Sequence, residues 1–579
     1  MKIDLHATSR TRQERQLRRG LLLAVPITVL AYALFYTLTP YEGLVRWYLD
    51  WNPHFFGAER WASEVFTHEV YRQGVWWCWL AVVAAAVLSA VLWRWQLPAA
   101  RGWWELLSER LPQILTVVAA CLTLSLGVML RSAYSVDEVF SGLAFSRLPL
   151  FQILSLYPEP NNHLLFNVLE GIGGCFVEDP VAVGRVLSSI CLAGVGLVGY
   201  VWLARLGKCG WLAVLGSLVL CVQMPVWGFG GQARGYALML LGGALAAYHG
   251  WAWWQDARPH RKVWQALGLV AGMAAVPAFL YVWLGLALVG VAVQLHRRQW
   301  SSGWWQVQVV TACATLMWYL PLLGFSGCEA LAGNRWVKPL PGSVSEHLEA
   351  LWQTNYLQGL YGEWSPLPTL PWWVLAAFWA LLAGIFFLKK DRSGRLLVEV
   401  ALGLAVAAVA LVALLHQVPF YRVFIVHGWL FVLVEVAALL QLARRRPWRP
   451  WVAIVLLGWW GACLWSGWQR IPRDLYYYDV NGHCQRLKAC MPIQPCGKTV
   501  WLDDLGFYWW YVMRSACPDD PPRVAWGSNL HPDWELAVFH GAHGPPGEAP
   551  AGTCGEFSFF EKNDRQGVET PGHPHGLKK

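Results

Sequence analysis

Residues Leu111 to Glu138 read LPQILTVVAACLTLSLGVMLRSAYSVDE. From Pro112 to Leu130 no residue is charged, and a helix of about 20 such residues crosses the hydrocarbon of a bilayer. Arg131 closes the run, and two adjacent acids, Asp137 and Glu138, follow shortly after it. A charge beside hydrocarbon is costly unless it has a partner or a task. This stretch therefore raises two expectations: a chain built of membrane-crossing helices, and chemistry at their ends.

Runs of the same kind recur along the chain. About thirteen are expected to span, near 20–38, 74–95, 112–131, 181–204, 210–228, 235–255, 263–279, 280–296, 303–325, 371–389, 395–416, 422–442 and 450–468. The pair from 263 to 296 leaves almost no loop, so Val276-Pro277-Ala278 must make the hairpin. The 579 residues are 56% hydrophobic and only 14% charged, too little charge to cover a soluble chain of that length. Mean hydropathy is +0.36. The 40 tryptophans suit a membrane protein, and pairs such as Trp103-Trp104 and Trp372-Trp373 sit at run ends, where indole favours the interface. The first apolar run has no small-residue cleavage site and reads as a span, not a leader.

The net charge of +9 follows from topology and does not point to nucleic acid. Alternate connections are basic: Arg10 to Arg19, Arg205 and Lys208, Arg258 to Lys262, Arg297-Arg298, Lys389 to Arg395, and Arg444 to Arg449. The positive-inside rule then places the N-terminus in the cytoplasm and the C-terminus outside. Longer stretches at 39–73, 132–180 and 326–370, and the tail 469–579, fall on the outer side. The tail reads as a small folded domain whose Gly-, Pro- and His-rich end is partly disordered. It carries Cys484, Cys490, Cys496, Cys517 and Cys554, and the outer loops add Cys175 and Cys328. In an oxidising space these are expected to pair, with at least two bridges in the tail. Zinc is the other reading, but neighbours such as Cys484, Cys490 and Cys496 are separated by five residues instead of two to four.

Two readings of the acid pair stand side by side. Ser135-Val-Asp-Glu138 has the S-x-x-E pattern of a helix capping box. The following VFSGLAFSRLPLFQIL (Val139 to Leu154) has apolar residues at helical spacing and is expected to lie on the membrane surface. The alternative is a site. The same loop returns to the membrane through Asn161, Asn162 and His163. On the same face by topology lie Arg185, then Gln232, Arg234 and Tyr236, then Tyr421 and Arg422. Any one arginine can be an interfacial anchor. Three on one face with an acid pair suggest an anionic ligand, because guanidinium matches phosphate geometry.

On these residues the chain resembles the membrane-embedded C-type glycosyltransferases (the GT-C fold), in the protein O-mannosyltransferase-like group. That group shows D-E in the first outer loop of its module, here Asp137-Glu138. Bacterial members continue with N-N-H and a short apolar run, here Asn161 to Leu165, with R-L-x-S, here RVLS (Arg185 to Ser188), and with A-R-G-Y, here Ala233 to Tyr236. A common variant, H-P-P-L at the histidine, is absent. Order and spacing match over roughly 112–300, and beyond that the match narrows to Arg422. Residues 1–111, with the first two spans, read as an addition to a module at 112–468.

The resemblance implies transfer of a sugar from a polyprenyl-phosphate donor to a glycan, lipid or protein acceptor on the outer face of a bacterial inner membrane, with inversion. It implies Asp137 as base, with Glu138 assisting it or capping the helix. Arg185, Arg234 and Arg422 would hold the phosphate, and Asn162, His163, Gln232, Tyr236 and Tyr421 would complete the donor site. No cofactor is required and no metal is indicated. Two other classes stay open on the sequence: a transporter, and an assembly subunit whose tail binds a partner.

Overall fold

The computed structural model describes residues 5–51, 61–95, 110–132, 134–157, 162–177, 179–207, 209–332, 342–343, 345–346, 379–382, 384–386 and 391–474. In the tail it describes 491, 494–502, 513, 517, 523–526, 535–540, 550–554 and 557–561. The first part is helical. In chain order the helices are α1 (Leu5–Leu38), α2 (Tyr41–Trp51), α3 (His68–Trp93), α4 (Leu111–Arg131), α5 (Val136–Phe140), α6 (Leu150–Ser155), α7 (Leu164–Gly174), α8 (Pro180–Gly207) and α9 (Gly210–Cys221). They continue with α10 (Met224–Gly230), α11 (Tyr236–Asp256), α12 (Pro259–Ala275), α13 (Leu280–Arg297), α14 (Ser302–Phe325), α15 (Glu329–Ala332), α16 (Arg392–Leu415), α17 (Ile425–Ala443) and α18 (Arg449–Asp474).

Local chemistry marks the helix ends. The Thr67 side chain accepts from Val70 N to start α3, and Asp391 accepts from Ser393 N to start α16. Pro112 stands in the first turn of α4, where its missing N–H costs nothing. Between α12 and α13, Val276 is extended and Pro277–Phe279 forms a 3₁₀ turn, so the short hairpin expected there is present.

Among the described residues nine helices are long and apolar enough to cross a membrane, or ten if one bent pair counts as a single span. This is fewer than the thirteen expected. The expected span 210–228 is broken: α9 and α10 meet at a 76° bend. Pro225, in the first turn of α10, lacks the N–H that would continue the ladder. Helices α11 and α12 fall short of the same test of length and apolarity, and most of 371–389 lies outside the described residues. Burial orders the bundle. Helix α17 is buried on almost every face and is its centre, whereas the first and last spans are mostly uncovered and leave apolar faces for lipid.

The loop after α4 departs from expectation. Val139 to Leu154 is not one helix on the surface. It is a short α5, a π-turn at Ser141–Phe145, and α6 restarted at Pro149. Phe140, Phe145 and Ile153 are buried. The N-terminal helices hold this loop. Tyr48 of α2 shares a 3.0 Å hydrogen bond with Ser155, and Gln152 donates to the Tyr48 carbonyl at 3.3 Å. Helix α14 completes the platform, with Ser326 donating to the Ser155 carbonyl at 2.6 Å.

The tail from 478 is a unit of its own. Its described strands are β1 (Thr499–Leu502), β2 (Arg523–Trp526), β3 (Leu536–His540), β4 (Gly552–Cys554) and β5 (Phe557–Glu561). They form one mixed sheet in the order β2-β1-β3-β5-β4, with β1 parallel to both β2 and β3, and β5 antiparallel to β3 and β4. Val500, Leu502, Leu536, Val538 and Phe559 are buried.

Cys496 and Cys517 form a disulfide in this unit. Of the two or more bridges expected in the tail this is one, and Cys484, Cys490 and the side chain of Cys554 lie outside the described residues. The loop residues Cys175 and Cys328 were also expected in disulfides, but both carry free thiols. The Cys175 thiol reaches the Gly171 carbonyl at 3.6 Å and that of Cys328 reaches Gln73 Oε1 at 3.5 Å. Peptide mapping of unreduced protein is expected to recover the 496–517 cross-link and alkylated Cys175 and Cys328. Alkylation of Cys496 and Cys517 without reductant would count against the bridge.

Candidate functional site

The acids of the opening stretch have different surroundings. Glu138 is fully buried. Its Oε1 accepts from Arg185 Nε at 2.9 Å and from the Ala233 N–H at 2.7 Å. Its Oε2 accepts from Arg185 Nη2 at 3.0 Å and from the Ser135 N–H at 2.7 Å. Ser135 Oγ accepts in return from the Glu138 N–H, so the capping box is formed. Arg185 also donates to the Ser132 carbonyl at 2.8 Å and lies over the Tyr134 ring at 4.7 Å. One bidentate pair thus ties three segments together: the start of α5, the first turns of α8, and the turn before α11.

That clamp brings Arg234 to Asp137. The Asp137 side chain is 38% exposed, and its Oδ2 accepts from Arg234 Nη1 at 2.6 Å. Arg422 Nη1, from the 3₁₀ turn Tyr421–Phe424 that precedes α17, stands 3.6 Å from the same oxygen. Arg422 lies over the rings of Phe420 at 4.8 Å and Tyr236 at 5.6 Å, and Arg234 over Tyr236 at 4.9 Å. Arg185, Arg234, Arg422, Asp137 and Glu138 carry three positive charges against two negative.

His163 stands edge-on to Tyr236 with ring centroids 5.0 Å apart. Gly235 is needed here, because a Cβ would come within 2.8 Å of His163 Cβ. Burial holds the His163 imidazole well below its usual pKa, and the positive charges of Arg234 and Arg422 add to this. The ring is therefore neutral near pH 7 and can exchange a hydrogen bond but supplies no charge.

The remaining expected residues brace the cluster. Asn162 is buried, donates to the Ile153 carbonyl at 2.9 Å and the Leu156 carbonyl at 2.5 Å, and accepts from Asn167 at 2.9 Å. Its side chain is spent on folding the loop. Gln232 is buried, and its carbonyl accepts from Ser188 Oγ at 2.5 Å. Tyr421 begins the turn that presents Arg422, and its side chain lies outside the described residues. The structure therefore brings Asp137, His163, Arg234, Tyr236 and Arg422 together, and keeps Glu138 and Arg185 behind them as a sealed pair.

One residue was missed. Glu170 of α7 is fully buried, takes a hydrogen bond from Ser146 Oγ, and packs against Gly184. Burial pushes its carboxyl well above the usual range, and the charges of Glu138 and Asp179 act in the same direction. The signal was in the sequence, as the lone charge in LLFNVLEGIGG (Leu164 to Gly174).

No protein-family model and no curated protein matches the chain. Solved structures do. ArnT from Cupriavidus metallidurans bound to undecaprenyl phosphate is 14% identical, covers 80% of this chain and 98% of its own, with a TM-score of 0.50. The apo state of the same protein is 12% identical, covers 77% and 97%, with a TM-score of 0.53. ArnT is a glycosyltransferase of the C type. Such identities speak to the fold alone. The chain is an integral membrane protein whose helical part has the GT-C fold, and its tail adds the small sheet unit.

Proposed function

We propose that this chain is a glycosyltransferase that takes a sugar from a polyprenyl-phosphate donor and passes it to an acceptor at the outer face of a bacterial inner membrane. The observation that carries the reading is Asp137 held between Arg234 and Arg422, beside a neutral His163, at the ends of apolar helices. The fold shared with ArnT, whose structure holds undecaprenyl phosphate, supports the choice of donor. The sugar is a hexose or a pentose.

In this reading the donor's phosphate competes with Asp137 for the two guanidiniums. Arg234 and Arg422 turn to the phosphate and hold it by charge-assisted hydrogen bonds. Asp137 loses two cationic neighbours and becomes a stronger base. The acceptor hydroxyl or amine gives its proton to Asp137 as its lone pair forms the bond to the anomeric carbon. The bond from that carbon to the phosphate oxygen breaks, and polyprenyl phosphate leaves with the electron pair. The arginines stabilise the charge that develops on it. Attack opposite the leaving group inverts the anomeric configuration. Glu138 and Arg185 position the cluster and do not touch the donor, and Asn162 and Gln232 support the loops. Transfer of sugar from a short-chain polyprenyl-phosphate hexose by detergent-purified protein tests the reading. Hydrolysis and transfer both absent across hexose and pentose donors, with a panel of acceptors, would leave transport or assembly in its place.

Two expectations follow. Arg422→Ala should weaken donor binding about tenfold or more, from the loss of one or two charged hydrogen bonds. Arg422→Lys should recover only part, because an ammonium lacks the planar fork. Equal donor affinity in wild type, Lys and Ala proteins would remove Arg422 from the site. The second concerns orientation. Impermeant protease should reach the tail beyond 478 in spheroplasts, since the basic segments alternate as far as Arg449. A protected tail would invert the topology and move Asp137 to the cytoplasmic face.

A further inference from the structure

A second charged cluster lies at the opposite end of the bundle. Helix α11 begins beside Arg234 and ends at Asp256, about 30 Å away at 1.5 Å per residue. Asp256 is spent on Arg261, which grips it from Nε at 2.7 Å and Nη2 at 2.8 Å. Two more guanidiniums stand further off: Arg205 Nη2 at 3.6 Å and Arg258 Nε at 3.5 Å. Their side chains are 37% and 64% exposed, against 6% for Arg261. Beside Arg205, Arg444 donates to the Leu206 carbonyl and stands 3.7 Å from Asp391. Four guanidiniums thus face two carboxylates. One of those carboxylates is committed to Arg261, and the other caps α16 and accepts from Gln441 at 2.5 Å.

The surplus charge sits where a lipid headgroup would be. Arg205 is in the last turn of α8, a membrane-crossing helix, and Arg258 precedes the first turn of α12. Arg205 Nη1 donates to Tyr248 Oη at 3.1 Å and its guanidinium lies 5.9 Å from the Trp251 ring, so an aromatic wall holds the fork in place. We propose that Arg205 and Arg258 form a binding site for the phosphodiester headgroup of an anionic phospholipid in the leaflet at this end. Guanidinium pairs phosphate oxygens two at a time, and basic clefts between membrane helices on one leaflet suit such headgroups. Binding there tethers the far end of the helix that carries Arg234 and Tyr236. The site is independent of the sugar-transfer reading and stands or falls separately.

The test uses full-length protein in a neutral detergent, titrated with phosphatidylglycerol, with phosphatidylcholine, or with inorganic phosphate. Thermal unfolding and lipid retained in native mass spectra are read. Wild type is expected to gain a dose-dependent rise in Tm and retain phosphatidylglycerol over phosphatidylcholine. Arg205→Gln with Arg258→Gln is expected to lose that preference, with an affinity about tenfold or more weaker. Arg258→Gln alone, at the more exposed position, should lose part of it and serves if the double variant does not fold. Arg298→Gln removes one charge from another helix end and should change nothing. An equal loss in Arg298→Gln would mean diffuse attraction and overturn the site. The same rise with inorganic phosphate would assign a free anion instead of a lipid. No preference in wild type would also overturn it.

Discussion

Asp137→Asn is expected to lower turnover by about 10²–10⁴-fold, the usual worth of a positioned general base. The change keeps the side chain's shape and an oxygen for Arg234, now 2.6 Å away, but removes basicity. Donor affinity should hold or rise, because the carboxylate that competes with phosphate for Arg234 and Arg422 is gone. The loss should therefore appear in kcat and not in KM. Thermal stability should change little, since the side chain is partly exposed and the Glu138–Arg185 clamp is untouched. Near-normal turnover in Asp137→Asn would remove the base from this residue. A loss confined to donor affinity would make Asp137 a placeholder for the phosphate.

Arg185→Met should act on the fold instead. Methionine fills much of the volume but leaves the Glu138 carboxylate buried without its cation. Breaking a buried pair in this way costs about 3–5 kcal/mol. The expected result is a large fall in Tm and in the yield of monodisperse protein. Arg185→Met with Glu138→Gln should recover part of the loss, since no buried charge then lacks a partner. The opposite pattern is also readable. If Arg185→Met keeps its stability and loses donor affinity, Arg185 is a phosphate ligand, as its place beside the other arginines in sequence first suggested.

These two variants show where sequence reading reached its limit. Asp137 and Glu138 are adjacent and chemically alike, and both the capping pattern and the site reading could be drawn from them. The structure realises the cap in Glu138 and leaves Asp137 facing the other arginines. On a helix, neighbours point about 100° apart, so one faces the protein and the other the cleft. The three arginines were legible as a set on one face. Which of them is sealed was not legible, because Arg185 meets Glu138 across 47 positions and Arg234 meets Asp137 across 97. The bend between α9 and α10 carried a signal in Gln223 and Pro225, but a run without charged residues hid it. Glu170 also stood out in its apolar segment, yet only packing against Gly184 and Ser146 shows that it is enclosed.

What the sequence determined by itself was the solvent of each segment. Hydrocarbon admits only long apolar helices with their backbone groups satisfied internally, so composition, run length and the alternation of basic segments were enough to read a helical membrane protein. It also determined the residue types at the helix ends, because charged groups are costly in hydrocarbon and gather there. The tertiary structure alone decided which charge meets which. Hydrophobicity is a property of each residue and adds along the chain, whereas an ion pair depends on two positions brought within about 4 Å. That closeness comes from the packing of α8, α11 and the turn before α17 around the start of α5.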